Sequence, residues 1–255
     1  MQRLFLSLLF MFINTAALAQ TADEAFENLA EEYISDLGNL SPVEATLLGD
    51  HAADGRLDQV DDDARAEQRA LLNDYLAALK HIDREQLSRA NQVDAELLLH
   101  DVESSLWSLD VLKEWSWNPL YYVSIAGSSI YGLMARDFAP IESRLTSVTS
   151  RLEQLPRFLA QARASIDQAR VPKIHAETAV QQNLGLNSII DSMVIPAMDV
   201  LSSERQQRLN AAIEIARDAI AAQQTWLEET LLPQAGGDFR IGAELYDAKL
   251  AFALN

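Results

Sequence analysis

The chain has 255 residues, no cysteine, 49% hydrophobic residues and a formal net charge of −18, with 38 acidic against 20 basic side chains. A polymer of this size and apolarity can bury a sizeable core, which excludes wholesale disorder; its acidity excludes a nucleic-acid binder, which needs clustered Lys and Arg, and disfavours an anionic membrane surface. Glycine (9) and proline (7) are scarce, about 6% together against an average of about 12%, so the elements should be long helices.

Residues 1–19 read as a secretory signal. Arg3 gives a positive start, Leu4 to Ile13 is an apolar run interrupted only by Ser7, and Ala17-Leu18-Ala19 is a small-residue cleavage site. The run is well short of the ~20 apolar residues of a membrane span. The chain is therefore expected to be exported, to the periplasm or the extracellular space, with no membrane span once the signal is removed. No cysteine follows the run, so no lipid anchor is expected.

The remainder, 20–255, reads as a single all-α domain, a bundle-like array of about eight helices without a substantial β-sheet. Ser41-Pro42-Val43-Glu44 is a capping-box pattern with proline at the first helical position, and Gly49 is a stop. Leu72, Tyr75, Leu76 and Leu79 mark one helix; Leu98, Val102, Leu106 and Leu109 mark another. Ile141, Leu145, Val148, Leu152 and Leu155 form one apolar stripe at alternating spacings of four and three. Leu186, Ile190, Met193 and Ala197 line a helix that Pro196 should kink or end. A longer stripe, Leu209, Ile213, Ala216, Ile220, Leu227 and Leu231, starts after Ser202-Ser203-Glu204 and stops near Pro233.

The stretch from Trp115 to Pro140 differs in kind. It concentrates Trp115, Trp117, Tyr121, Tyr122, Tyr131 and Phe138 together with Pro119, Gly127 and Gly132. Aromatic walls with a few polar tips are what ligand clefts use. The same composition also suits an irregular layer packed between helices. Both readings stay open on the sequence.

Chemical motifs are sparse. The four histidines, His51, His81, His100 and His175, form neither the His-Glu-x-x-His pattern of zinc peptidases nor the Glu-x-x-His of di-iron bundles. Glu96 and His100 sit at i and i+4, as a solvated helix pair would. Asp50, Asp54, Gly55, Leu57, Asp58 and Asp61 imitate a calcium loop, but Ala52 occupies its third position and Asp61 replaces the bidentate glutamate. These aspartates read as turn formers on a solvated surface. With no Gly-x-Ser-x-Gly elbow, phosphate loop or thiol, the residues by themselves identify no catalytic or metal-binding side chain.

Ordered segments nevertheless carry a resemblance. Leu40 to His51 followed by Asp54-Gly55-Arg56-Leu57, then Arg136-Asp137-Phe138-Ala139-Pro140, Leu155-Pro156-Arg157-Phe158-Leu159, Val171 to Ala179 and Phe239 to Tyr246 occur in the order found in the bacterial domain-of-unknown-function 885 family, which this chain resembles. The resemblance implies a helical zinc-metallopeptidase-like protein, similar in build to the carboxypeptidase Taq and oligopeptidase group. Its members are typically exported and longer than this chain, and their catalytic His-Glu helix lies in the C-terminal half. No catalytic or metal residue carries over, because that motif has no counterpart here. The resemblance thus implies a truncated N-terminal portion, inactive alone and without its own cofactor, zinc belonging to complete members. Its partners would be the missing C-terminal half or a peptide substrate. Trp115, Trp117, Tyr121, Tyr122, Tyr131 and Arg136 are then expected to line one side of a substrate groove, although Arg136 could instead pair with Asp137 or a neighbouring carboxylate. The alternative is a self-sufficient secreted binding module with an acidic surface and an aromatic cleft.

Overall fold

The computed structural model describes residues 22–254, so the secretory signal read at 1–19 lies outside the described residues. Among the described residues there is no strand, only an isolated bridge between Pro172 and Gly237. The expected all-α class therefore holds.

Three helices pack around a first apolar cluster: α1 (22–40), α3 (Asp62–His81) and α4 (Arg89–Trp107). Asp61 starts α3 by accepting the Ala64 N–H at 2.9 Å. α3 and α4 run antiparallel, as the Arg69–Asp110 (2.6 Å) and Lys80–Glu103 (3.3 Å) ion pairs require. Leu72, Leu79 and Val102 fall inside, as their spacing predicts. Tyr33 and Tyr75 meet edge to face at 5.0 Å, and each hydroxyl finds a carboxylate, Asp101 at 2.6 Å and Asp36 at 2.8 Å.

A second, larger cluster is built by α5 (Pro119–Met134), α6 (Ile141–Ser165), α7 (Lys173–Asn183), α8 (Gly185–Ile189) and α9 (Ser203–Trp226). α8 runs on through a wide turn, Ile190–Val194, into a tighter one, Ile195–Val200, with Pro196 in its first turn. α9 likewise widens over Leu227–Leu231. The stripes of α6 and α9 are buried against one another. The Arg208–Glu153 ion pair (2.8 Å) and the Arg163 to Gln223 hydrogen bond (2.9 Å) advance together along both helices, so the two run parallel. Proline at position 156 stays within α6, which the sequence pattern did not anticipate.

Two local expectations change. The aromatic stretch is no irregular layer: from Pro119 to Met134 it is a helix, begun by Asn118, whose side chain accepts the Leu120 N–H at 3.1 Å, with proline at the first helical position. It buries Tyr122, Ala126, Ile130 and Leu133. Ahead of α2 (Pro42–Leu48), the Ser41 side chain makes no capping bond; Asp58 instead reaches back to accept the Val43 N–H at 3.0 Å. Gly49 does end α2, at φ 98°, where its N–H and that of Asp50 return to the carbonyls of Thr46 and Ala45.

Candidate functional site

The cleft that concentrates the aromatic side chains depends on how residues 54–61 are held. After a turn over residues 52–55, this segment runs along α6 outside any helix, and its backbone groups need partners. α6 supplies them from a polar stripe beside its apolar one, Ser150, Gln154, Arg157, Gln161 and Ser165. Ser150 and Gln154 donate to the Gly55 carbonyl at 2.6 and 2.9 Å, while the Gln154 side-chain oxygen accepts the Leu57 N–H at 3.1 Å. Arg157 donates to the Leu57 and Asp58 carbonyls at 2.9 and 3.0 Å. Gln161 accepts the Val60 N–H at 3.2 Å, and Ser165 donates to the Val60 carbonyl at 2.9 Å.

Beneath this segment lies Arg151, wholly removed from solvent. Its guanidinium donates to the carbonyls of Arg56 (2.9 Å), Ser129 (2.8 Å) and Pro42 (3.1 Å) and to the Thr46 hydroxyl (2.7 Å), tying α2, α5 and this segment to α6. The Thr46 hydroxyl also bonds Asp54 at 2.7 Å. Asp54 in turn sits 3.1 Å from the His51 ring, which stacks flat on Phe138 at 3.6 Å.

The calcium-like aspartates are thereby explained. Asp54 and Asp58 are buried rather than solvated turn formers, and Asp61 caps α3. Asp50 accepts the Ala52 N–H at 2.9 Å. Burial pushes the Asp58 carboxyl above its usual range, against the opposing pull of the Val43 N–H and of Arg151 and Arg157.

Between this segment, the Leu40-Ser41-Pro42 turn and the start of α3 opens a cavity of about 350 Å³. Trp115, Tyr121 and Tyr122 form its aromatic wall. Trp115 is fixed by its indole N–H to the Leu109 carbonyl (2.9 Å), and the Arg65 guanidinium lies 4.1 Å over its ring. The buried Tyr122 hydroxyl donates to the Trp115 carbonyl at 2.6 Å, and burial raises its pKa to about 12. Tyr121 meets Tyr122 edge on at 5.1 Å and is 43% exposed, so it faces the opening. Asn39, Arg56, Asp58, Gln68 and Gln154 complete a polar side. Of these, Asp58 reads in the sequence only as a calcium-like turn former and Arg56 only as part of a family-like segment, while Asn39, Gln68 and Gln154 do not stand out. For Gln154 the available signal is the four-three-four spacing of polar residues on α6, a face that reads as solvated when each residue is taken alone.

The other three residues expected on the groove lie elsewhere. Trp117 is buried against His175, ring centres 5.8 Å apart, and borders a separate hollow of about 330 Å³. Tyr131 is exposed on α5 beside a third hollow of about 390 Å³. Arg136 is exposed and donates to the Leu47 carbonyl at 2.9 Å at the end of α2. It does not pair with Asp137, whose carboxylate takes Arg144 at 2.8 Å.

The histidines do not fit a zinc site. His51 is committed to Asp54 and Phe138, and His81 to the Ala77 carbonyl at 2.6 Å. His100 contacts the Phe252 carbonyl at 2.8 Å, while Glu96 turns to Arg84 at 3.0 Å, so the helix pair read from their spacing does not form. His175 stacks on Trp117, and burial lowers its pKa. Among the described residues no group of three or more His, Cys, Asp or Glu could hold a metal ion. No helix among them is long and apolar enough to cross a membrane.

Comparison with known proteins sets this arrangement in a family. No curated protein matches the chain significantly. A solved structure, that of a "putative lipoprotein of unknown function from Shewanella oneidensis", superposes with a TM-score of 0.82 at 32% identity over 89% of this chain. The chain spans only 42% of the length of that protein. The profile of the bacterial proteins of unknown function (DUF885) matches residues 42–255, from the first residue of α2 through the helix Ala243–Leu254, and the chain belongs to that family.

Proposed function

We propose that this chain is the N-terminal helical portion of an exported, peptidase-like protein, inactive by itself, in which the Trp115–Tyr121–Tyr122 cleft forms part of a substrate wall. The observation that carries the reading is the helix Ala243–Leu254, which contains no buried residue. Tyr246, Leu250 and Leu254 are exposed on it, and Phe239 is exposed just ahead of it. It touches α4 through Phe252, against His100 (5.4 Å) and Trp107 (5.5 Å), and Lys249 reaches Glu114 at 3.8 Å. An apolar helix so little covered is suited to pack against further protein. The greater length of the Shewanella protein supports the same view, and its description as a lipoprotein supports export.

The test mixes the purified protein with the separately produced C-terminal remainder of the Shewanella protein. The chain alone is expected to bind the dye ANS strongly and to hydrolyse no peptide; complex formation should quench the ANS signal. Robust peptide hydrolysis by the chain alone, or a monodisperse, ANS-silent protein, would overturn the proposal. The second reading, a self-sufficient binding module, is favoured by the fixed aromatic wall of the cleft. Saturable binding of a small ligand by the chain alone, abolished by Tyr121→Ala, would select it.

A further inference from the structure

Away from the cleft, α1, α2 and α4 enclose an open groove of about 740 Å³. Its walls run along α1 from Phe26 to Gly38 and along α4 from Asn91 to Asp101, about 18 and 15 Å at 1.5 Å per residue. That is the length of roughly three helical turns. Most of its surface is apolar, and Ile34, Leu48 and Leu97 stand 62%, 76% and 58% exposed along it. Soluble proteins rarely leave side chains of this size grouped in water without a use for them.

The rim decides the occupant. Glu27, Glu31, Glu44, Asp50, Asp94 and Asp101 line the groove, and among the described residues no Lys or Arg does. A second copy of this chain, itself at −18, would meet repulsion there, as would an anionic lipid surface. An apolar stripe flanked by cations would satisfy both the floor and the rim. We infer that this groove docks a basic amphipathic helix of a partner protein, with leucine-like residues at i, i+3, i+4 and i+7 over Ile34 and Leu97 and Lys or Arg along both flanks.

The proposal is tested with a fluorescent 18-residue helical peptide of leucine and lysine in that pattern. Its binding to the purified protein is expected to weaken at least tenfold in the double variant Ile34→Lys/Leu97→Lys. Both positions are solvent-exposed, and an unchanged far-UV spectrum would verify the fold. The charge reversal Glu31→Lys/Asp94→Lys should weaken the same peptide and strengthen its leucine–glutamate counterpart. Equal binding of a scrambled peptide of the same composition would overturn the proposal, because charge alone would then explain the affinity. Wild-type affinity in the Ile34→Lys/Leu97→Lys variant would overturn it too. So would concentration-dependent dimerisation that this variant abolishes, since the occupant would then be a second copy. None of these substitutions falls within Ala243–Leu254, so the outcome here is read separately from peptide hydrolysis by the chain.

Discussion

At the scale of single residues, Arg151 is the side chain that joins α2, α5 and the segment around Arg56 to α6. Burial drives its guanidinium down to about 10, yet the charges of Asp54 and Asp58 and four acceptors keep it satisfied. Replacing it with methionine keeps most of the volume but removes its donors from those four acceptors and takes away the cation that faces Asp54 and Asp58. Each buried unsatisfied acceptor costs about 1 to 3 kcal/mol, so Arg151→Met should lower unfolding stability by at least about 3 kcal/mol, read as a drop in the urea midpoint. Asp58 makes a second residue-scale prediction, about pH. Its carboxyl binds a proton more readily in the folded chain than in the unfolded one, where it has its ordinary value of 3.8. As pH rises from that value through the raised folded one, the folded state gives up a proton that the unfolded state has already lost, and Asp58 makes stability fall. Asp58→Asn keeps an acceptor for Val43 and removes the buried charge, so thermal scans from about pH 4 to pH 7 should show a smaller loss than in the wild type.

At the scale of elements, the apolar stripes of α3, α4, α6 and α9 were legible because burial along one helical face imposes its own period. The polar stripe on α6 was not. Gln154, Arg157 and Gln161 each look like ordinary surface residues, and only the segment laid against them turns them into its backbone partners. The same reason hid α5 and part of the cleft. Pro119, Gly127, Gly132 and the crowded aromatics suited an irregular layer as well as a cleft, and the Asn118 cap that starts the helix emerges only in the fold. The C-terminal segment is attached by a narrower device. The Gly237 N–H donates to the Val171 carbonyl at 3.0 Å, and a Cβ at this position would overlap the Arg170 carbonyl. Gly237→Ala should therefore loosen the segment after α9 without melting the core. Limited proteolysis would read this as faster cleavage beyond residue 234 with the thermal midpoint nearly unchanged.

At the scale of the whole molecule, two apolar clusters share one chain, the first around α1, α3 and α4 and the second around α6 and α9. The sequence suggested one array of helices because every segment carried a stripe of the same kind; stripes report which face is buried and not against whom. The six residues expected on one groove separate for the same reason, since Trp115, Tyr121 and Tyr122 share a wall while Trp117, Tyr131 and Arg136 face other neighbours.

The segment 54–61 held by α6 also bears on the order of assembly. Its backbone partners lie about a hundred positions later in the chain, Gly55 against Ser150 and Val60 against Ser165. When the chain emerges N-terminus first, α1, α3 and α4 can collapse on one another while the Gly55 and Leu57 carbonyls and the Leu57 and Val60 N–H groups still lack their α6 partners. The segment can dock only after Ser165 has been made and the long intervening loop has closed, which slows the search. The wall of the aromatic cleft is thus a late product of folding, and a chain interrupted before α6 would carry the tryptophan and tyrosines of the cleft without the cleft.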